Sequence, residues 1–183
     1  MKISITGSAG TGKSTIASLL AEHYSCACID EFYEGFFQKN GEFVQPVKRL
    51  REMIFETLEK KYQLEEASGN FVVDRSPVDL FNLWLSRGFT AHQDETTALY
   101  QRCRELVHLY DAIVVLPWGV LPLQQHKNNQ KRRRIMNPWV QFHNHSTIVG
   151  LTSQWLPPDK IIPIPGNIKN NASRIAFIDK HFN

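Results

Sequence analysis

Short apolar runs alternate along the chain with longer stretches whose apolar residues recur at helical spacing. The apolar runs predict five strands, at Lys2–Thr6, Ala27–Ile29, Phe71–Val73, Ala112–Leu116 and Lys160–Ile164. Strands that alternate with helices are typical of a parallel sheet covered by helices on both faces. The pattern therefore predicts a three-layer α/β domain with a mostly parallel five-stranded sheet, in which Pro163 marks the last strand as an edge strand.

The helical stretches carry recognisable start and stop signals. A long charged helix between the second and third strands is predicted to end at Gly69-Asn70, and its apolar stripe repeats every fourth residue, at Leu50, Ile54, Leu58 and Tyr62. The next helix is predicted to begin with Ser76 as N-cap, Pro77 at the first helical position and Asp79 as capping-box partner. Two further apolar faces predict helices around Leu99–Tyr110 and Ser173–Phe182.

Composition adds the broad class. The chain has 183 residues, 42% of them hydrophobic, with no internal repeat, low-complexity tract or Pro/Gly/Ser linker, so we expect one domain over residues 1–183. No basic leader precedes the first strand and no apolar run approaches membrane-spanning length, so we expect a cytoplasmic protein that does not enter a membrane. Cys26, Cys28 and Cys103 cannot all pair, and we expect reduced core thiols, with the first two on a buried strand.

The segment between the first strand and the first helix, Gly7–Ser14, fits the phosphate-loop pattern G-x-x-x-x-G-K-[ST]. Its glycines allow a tight turn that brings backbone N–H groups close to phosphate oxygens, and the next helix points its positive end at the same place. Lys13 is expected to reach the β- and γ-phosphates, and the Ser14 hydroxyl to bind Mg²⁺. The pattern predicts a site for a nucleoside triphosphate with Mg²⁺, formed by Gly7, Ser8, Ala9, Gly10, Thr11, Gly12, Lys13, Ser14 and Thr15. We expect ATP as the nucleotide, and the choice between ATP and GTP stays open because the sequence has no base-reading motif such as N-K-x-D.

Two acidic residues, Asp30 and Glu31, directly follow the second strand. Ligands of open parallel sheets bind at the carboxyl ends of the strands. Because neighbouring strand residues point to opposite faces, we expect one of the two carboxylates to enter the site. In a kinase it would accept a proton from the acceptor hydroxyl or hold the acceptor in line. A solvated acidic turn is the alternative interpretation.

The third strand is followed by Asp74, Arg75 and Ser76. An acid at this position, near a phosphate loop, can hold Mg²⁺ directly or through water. The planar guanidinium of Arg75 is suited to pairing with phosphate oxygens. In the alternative interpretation, Asp74 and Arg75 form only a local ion pair and Ser76 is only a helix cap.

A basic run, Lys127–Arg134, lies between the fourth strand and the next helix, and five of its eight residues are Lys or Arg. Phosphate-transfer enzymes of this layout place a lid here, so we expect a lid at about residues 117–137 whose Arg132, Arg133 or Arg134 neutralises the transferred group. A solvated face or a nucleic-acid contact are the alternatives. The net charge of +3 suits anionic substrates, but it does not imply nucleic-acid binding. We therefore do not expect a nucleic-acid partner.

Two weaker features complete the list of candidates. His143 and His145 stand two residues apart, which does not place them on one helical face, and we expect no metal site there. The aromatic side chains that follow the acidic pair either stack on a base or sugar of the acceptor or belong to the core: Phe32, Tyr33, Phe36 and Phe37.

Taken together, these residues resemble the P-loop kinases of the nucleoside and nucleoside-monophosphate kinase group, and more closely the small AAA-type ATP-binding domains related to nicotinamide riboside kinase. Deoxynucleoside kinases carry a glutamate after the second strand and an acid-Arg-Ser triplet after the third; Glu31 and Asp74-Arg75-Ser76 stand at the matching places. The riboside-kinase-like domains have a similar Glu-aromatic segment, matched by Glu31-Phe32-Tyr33-Glu34. Phe32 is a departure, because deoxynucleoside kinases usually have proline there.

The resemblance implies that Glu31 is the catalytic base, that Asp74 and Arg75 serve Mg²⁺ and phosphate, and that the basic run is the lid. It implies transfer of the γ-phosphoryl group of ATP to a small molecule, with a nucleoside, nucleotide or nicotinamide riboside-like compound as acceptor. An ATPase or ATP-sensing module acting through a protein or nucleic-acid partner stays open as an alternative, as does a kinase acting on nucleic-acid ends. The oligomeric state is also open, with a homodimer as one option.

Overall fold

A computed structural model describes residues 1–31, 46–122 and 137–182. Within these ranges five strands form one sheet in the order β2-β3-β1-β4-β5, and every neighbouring pair is parallel. The strands are β1 (Lys2–Thr6), β2 (Ala27–Ile29), β3 (Phe71–Asp74), β4 (Ala112–Val115) and β5 (Ile161–Pro163). The predicted parallel sheet is confirmed, with each strand end within one residue of its expected position, and β5 lies at an edge as Pro163 indicated.

Six α-helices of the described residues connect and cover the strands. They are α1 (Lys13–His23), α2 (Val47–Ser68), α3 (Pro77–Ser86), α4 (Gln93–Val107), α5 (Pro138–Trp155) and α6 (Asn171–Phe182), with short 3-10 turns at Phe89–Ala91 and Pro158–Lys160. Among the described helices, none combines the length and the apolar character needed to cross a membrane.

The side chains of the strands alternate between two hydrophobic cores. Val72 and Val114 face the core formed with α1 and α6. Their strand neighbours Val73 and Ile113 face the opposite core, which α2, α3, α4 and α5 complete. This alternation follows from the two-residue period of a strand, and it produces the predicted three layers of helix, sheet and helix.

Two predicted helix ends are confirmed, the start of α3 and the end of α2, whereas α4 ends at Val107 and leaves Tyr110 outside the helix. Ser76 caps α3, with its Oγ accepting from the Val78 N–H at 3.1 Å, and Asp79 Oδ2 accepts from the Ser76 N–H at 2.9 Å, which completes the capping box. Helix α2 ends at Ser68, and Gly69 follows with a φ of +67°. A positive φ is readily adopted only by glycine, so Gly69 allows the chain to leave the helix at this position.

The placement of the first two cysteines on a buried strand is wrong. Strand β2 is an edge strand, and its residues Ala27 and Cys28 are exposed because no neighbouring strand covers them on the outer side. Cys26 precedes the strand and is half-buried. Cys103 alone of the three is in the core, where burial raises the pKa of its thiol. All three thiols are free.

Candidate active site

The phosphate loop leaves the carboxyl end of β1 and enters α1. Gly7 has a φ of +140°, and a Cβ at this position would lie 2.9 Å from the Leu116 carbonyl oxygen, so a side chain does not fit there. Gly12 has a φ of +92° and caps α1, with its carbonyl accepting the first helical hydrogen bond from the Ile16 N–H at 3.0 Å. These two glycines fix the turn that points the loop's backbone toward the N-terminus of α1.

Lys13 is buried and folds back across the loop. Its Nζ donates to the carbonyl oxygens of Gly7 and Ser8, each at 2.8 Å. Backbone N–H groups at Gly10, Thr11 and Gly12 donate to no acceptor among the described residues. The loop therefore presents a cation and several N–H donors to one small volume, which is the arrangement that binds phosphate oxygens.

Ser14 and Asp74 meet beside the loop. The Ser14 hydroxyl donates to Asp74 Oδ2 at 2.5 Å, and Asp74 is only 2% exposed. The second carboxylate oxygen, Oδ1, is buried and has no hydrogen-bond partner within the described ranges. A buried carboxylate oxygen without a partner is costly, and a hydroxyl with a carboxylate is the oxygen donor set that Mg²⁺ prefers. The residues present therefore fit a magnesium ion.

Glu31 and Arg75 form a close ion pair at the ends of β2 and β3. Arg75 Nε donates to Glu31 Oε2 at 2.6 Å, and Arg75 Nη1 lies 3.5 Å from Asp79 Oδ1. The backbone of Arg75 has a φ of +72°, a left-handed conformation that costs a residue with a side chain roughly 1 kcal/mol or more. Strain of this kind is concentrated at functional sites, and here it accompanies a side chain held between two carboxylates.

Asp79 holds together the ends of β1 and β3. Its Oδ2 accepts from Thr6 Oγ1 at 2.7 Å and from the Ser76 N–H at 2.9 Å, and the residue is buried. Thr6 is the last residue of β1, directly before the phosphate loop. The capping box of α3 therefore also fixes Arg75 relative to the loop.

A family model described as an AAA domain matches residues 2–147 of the chain. The chain belongs to this AAA domain family. A search of curated proteins gave no match.

Three solved structures share the fold of this AAA domain, and two of them are kinases by name. Deoxyadenosine kinase from M. mycoides with bound dATP has a TM-score of 0.67 and 14% sequence identity, and the match covers 100% of both chains. NadR protein in complex with NR has a TM-score of 0.69 and 14% identity, and the match covers 98% of this chain and 51% of the NadR chain. Shikimate kinase from Aquifex aeolicus has a TM-score of 0.51 and 17% identity, and the match covers 100% of this chain and 96% of that chain. The chain thus spans about half the length of NadR. The expected resemblance to P-loop kinases is confirmed at the level of the fold.

The AAA domain brings Glu31, rather than Asp30, to the Arg75 guanidinium. The Asp30 side chain is exposed, and its Oδ1 accepts from the Glu31 backbone N–H at 2.7 Å. Glu31 itself is buried. Of the two carboxylates, Glu31 is therefore the one that lies beside Arg75, and its role as the base stays a prediction.

Several candidate residues lie outside the described ranges: Phe32, Tyr33, Phe36, Phe37 and the whole basic run with Arg132, Arg133 and Arg134. The described start of the expected lid, residues 117–122, packs beside the phosphate loop. There a cavity of about 180 Å³ lies between Ala9–Thr11 on one side and Trp118, Leu121 and Pro138 on the other. Thr15, the last residue assigned to the loop, is exposed on the first turn of α1.

Sequence reasoning missed three buried polar side chains that support the site. Gln141 on α5 accepts from the Ala9 N–H at 3.0 Å, and Arg174 on α6 donates to the Thr11 carbonyl at 3.0 Å. Lys61 on α2 donates to the carbonyls of Asp30 and Asp74, each at 3.0 Å, and burial lowers its pKa to about 8. A signal was present in the helical spacing, since Lys61 stands between the buried positions Thr57 and Glu65 in steps of four.

Proposed function

We propose that the chain is an ATP-dependent phosphotransferase that acts on a small molecule. One observation carries the proposal: a phosphate loop, a Ser14–Asp74 oxygen pair and a Glu31–Arg75 ion pair all lie at the carboxyl ends of neighbouring strands. A phosphate loop alone would serve any nucleotide-binding protein. The buried carboxylate held by Arg75 adds what a transfer reaction to a hydroxyl needs, a base beside the phosphate site.

The loop binds and orients the triphosphate. Backbone N–H groups of Gly10, Thr11 and Gly12 donate to phosphate oxygens, and Lys13 exchanges its two carbonyl partners for the β- and γ-phosphates. Ser14 Oγ and Asp74 are the residues that would hold Mg²⁺, which supplies neutralisation of the charge on the β- and γ-phosphates when bound. Much of the catalytic effect is then positioning and charge neutralisation.

Glu31 orients the acceptor hydroxyl and takes its proton as the hydroxyl oxygen forms a bond to the γ-phosphorus. The bond from that phosphorus to the β–γ bridging oxygen breaks, and ADP is the leaving group. Arg75 keeps the Glu31 carboxylate in place and brings a positive charge beside the transferred group. Arg132, Arg133 and Arg134 are proposed to neutralise the same group from the lid.

The acceptor class is proposed to be a nucleoside, a nucleotide or a nicotinamide riboside-like compound. Support comes from the fold shared with deoxyadenosine kinase and with NadR in complex with NR, and from Glu31 and Asp74-Arg75-Ser76 at the positions expected for that group. We further propose a cytoplasmic location, as expected for an enzyme of this class.

The test is a phosphotransfer assay with an acceptor panel. Purified protein is incubated with MgATP and nucleosides, nucleotides, nicotinamide riboside or simple sugars, and both ADP and the phosphorylated product are measured by mass. We expect one acceptor class to gain a phosphoryl group in step with ADP formation, and Lys13→Ala to abolish both. ADP without a phosphorylated product would favour an ATPase or sensor instead, and full activity of Lys13→Ala would refute the assignment of the loop.

A further inference from the structure

Arg174 is a buried arginine behind the phosphate loop. It lies in the first turn of α6 and is 0% exposed. Its Nε donates to the Ile168 carbonyl at 3.2 Å and its Nη1 to the Thr11 carbonyl at 3.0 Å, whereas its Nη2 is buried without a partner among the described residues. The side chain therefore ties α6 and the segment before it to the middle of the phosphate loop.

The charge of Arg174 has no anion beside it in the described part of the chain. No described carboxylate forms an ion pair with it, and neither α1 nor α6 has an acidic residue in its first turn. Burial lowers the pKa of the guanidinium, but arginine keeps its charge in proteins. A buried cation without a counter-ion is unfavourable, and a cation at a helix N-terminus adds to the cost. An anion bound at the loop would relieve both.

The peptide that Arg174 contacts has a defined direction. Thr11–Gly12 is a trans peptide, so its N–H points away from its C=O. Arg174 donates to the Thr11 carbonyl from the α6 side, and the Gly12 N–H therefore points to the opposite side, away from α6. A Cβ on Gly12 would lie 3.4 Å from Arg174 Nη1, which shows how closely the guanidinium packs on this peptide. A charged donor on the carbonyl also polarises the N–H of the same peptide.

We propose that Arg174 is a positioning residue for the nucleotide phosphates: it orients and polarises the Gly12 N–H, and the bound phosphates provide a counter-charge that no described residue supplies. The inference rests on the proposed nucleotide site and adds to it a residue far outside the phosphate-loop motif. Arg174 acts through the Thr11–Gly12 peptide and needs no direct contact with the nucleotide.

The test is the affinity of folded protein for MgADP, measured by calorimetry for wild type, Arg174→Met, Arg174→Gln and Arg174→Lys. We expect Arg174→Met to weaken binding about tenfold, because it removes a charged hydrogen-bond donor from the loop. Arg174→Gln restores a donor without charge and is expected to recover little, whereas Arg174→Lys restores the charge and is expected to recover part of the affinity. Lys180→Met removes one exposed positive charge from the same helix and serves as the matched control, with unchanged affinity.

A purely structural role predicts a different pattern. The folded fraction of Arg174→Met would then bind MgADP with the wild-type Kd, and that result overturns the inference. If Arg174→Met does not fold, Arg174→Lys decides: a raised KM for ATP with an unchanged KM for the acceptor supports the inference, and wild-type values for both refute it. Wild-type protein that fails to bind MgADP would instead refute the proposed nucleotide site itself.

Discussion

Asp30 and Glu31 are neighbours in sequence, but the fold gives their carboxylates different environments. Asp30 is exposed and accepts a hydrogen bond from the backbone of its neighbour. Glu31 is buried and lies 2.6 Å from the Arg75 guanidinium, at the carboxyl ends of the strands where the phosphate loop also begins. Only Glu31 therefore has both the charge partner and the position that a base for phosphotransfer requires.

The two residues form a matched pair for mutagenesis. Glu31→Gln keeps the size of the side chain and removes its basicity, and we expect kcat to fall by about 10²–10⁴ with a smaller change in KM for ATP. Asp30→Asn removes a neighbouring charge, and we expect kcat to stay close to that of the wild type. Steady-state kinetics with the acceptor found in the panel measure both. A loss in Asp30→Asn with retained activity in Glu31→Gln would reverse the assignment.

At the scale of elements, α2 holds two strand ends together through Lys61. A parallel strand pair leaves carbonyl groups at its end without a ladder partner, and Lys61 Nζ donates to the carbonyls of Asp30 and Asp74 at the ends of β2 and β3. The same ammonium group provides positive charge near Glu65, which is buried and accepts a hydrogen bond from the Tyr110 hydroxyl at 2.9 Å. Helix α2 thus sets the spacing of the strands that carry Glu31 and Arg75.

Lys61→Met should lower the free energy of unfolding by about 3 kcal/mol, since it removes the Lys61 donor from one buried and one partly buried carbonyl and takes the nearby cation from Glu65. Lys60→Met removes the same charge from an exposed position one residue earlier and is expected to change stability by less than about 0.5 kcal/mol. Urea denaturation at pH 7 measures both. Equal stability of Lys61→Met and wild type would show that the fold does not depend on this contact.

The elements could be predicted from the sequence because their signals are local. The apolar runs, the Ser76–Asp79 capping box and the Gly69 stop each occupy a few consecutive residues, and all three are found as expected. The burial of Cys28 was mispredicted because edge or central position depends on strand order, which a run of three residues does not encode. Local signals therefore specified the layers of the fold and, through Pro163, one edge strand, but they left the edge position of β2 open.

The supporting contacts of the site could not be predicted in the same way. Ser14 and Asp74 stand 60 positions apart, and both were expected at a magnesium site, because one belongs to the phosphate-loop motif and the other ends a strand. Thr11 and Arg174 stand 163 positions apart, and no motif marks Arg174. Only the packed fold decides that Arg174 meets the loop. Arg174 stands four residues before the buried Ile178 on α6, so the helical spacing indicates that Arg174 is buried. The spacing does not indicate which carbonyl the side chain contacts.

At the scale of the whole molecule, the phosphate loop is held from both helical layers. Arg174 reaches it from α6, which belongs to the core on one face of the sheet, and Gln141 reaches it from α5, which belongs to the core on the other. A ligand bound to the loop therefore stabilises contacts on both faces. Because it binds the folded chain and not the unfolded one, it should stabilise the molecule as a whole.

MgADP at 100 times its Kd is expected to stabilise the fold by about 2.7 kcal/mol, which for a chain of this size raises Tm by about 5–10 °C. The shift measures nucleotide binding without any acceptor, so it separates the phosphate site from the identity of the substrate. Differential scanning calorimetry of wild type and Lys13→Ala, with and without MgADP, tests it. Lys13→Ala should lose most of the shift because it lacks the cation for the β-phosphate, whereas Asp30→Asn, altered away from the loop, should keep it. An equal shift in Lys13→Ala and wild type would place the nucleotide elsewhere on the molecule.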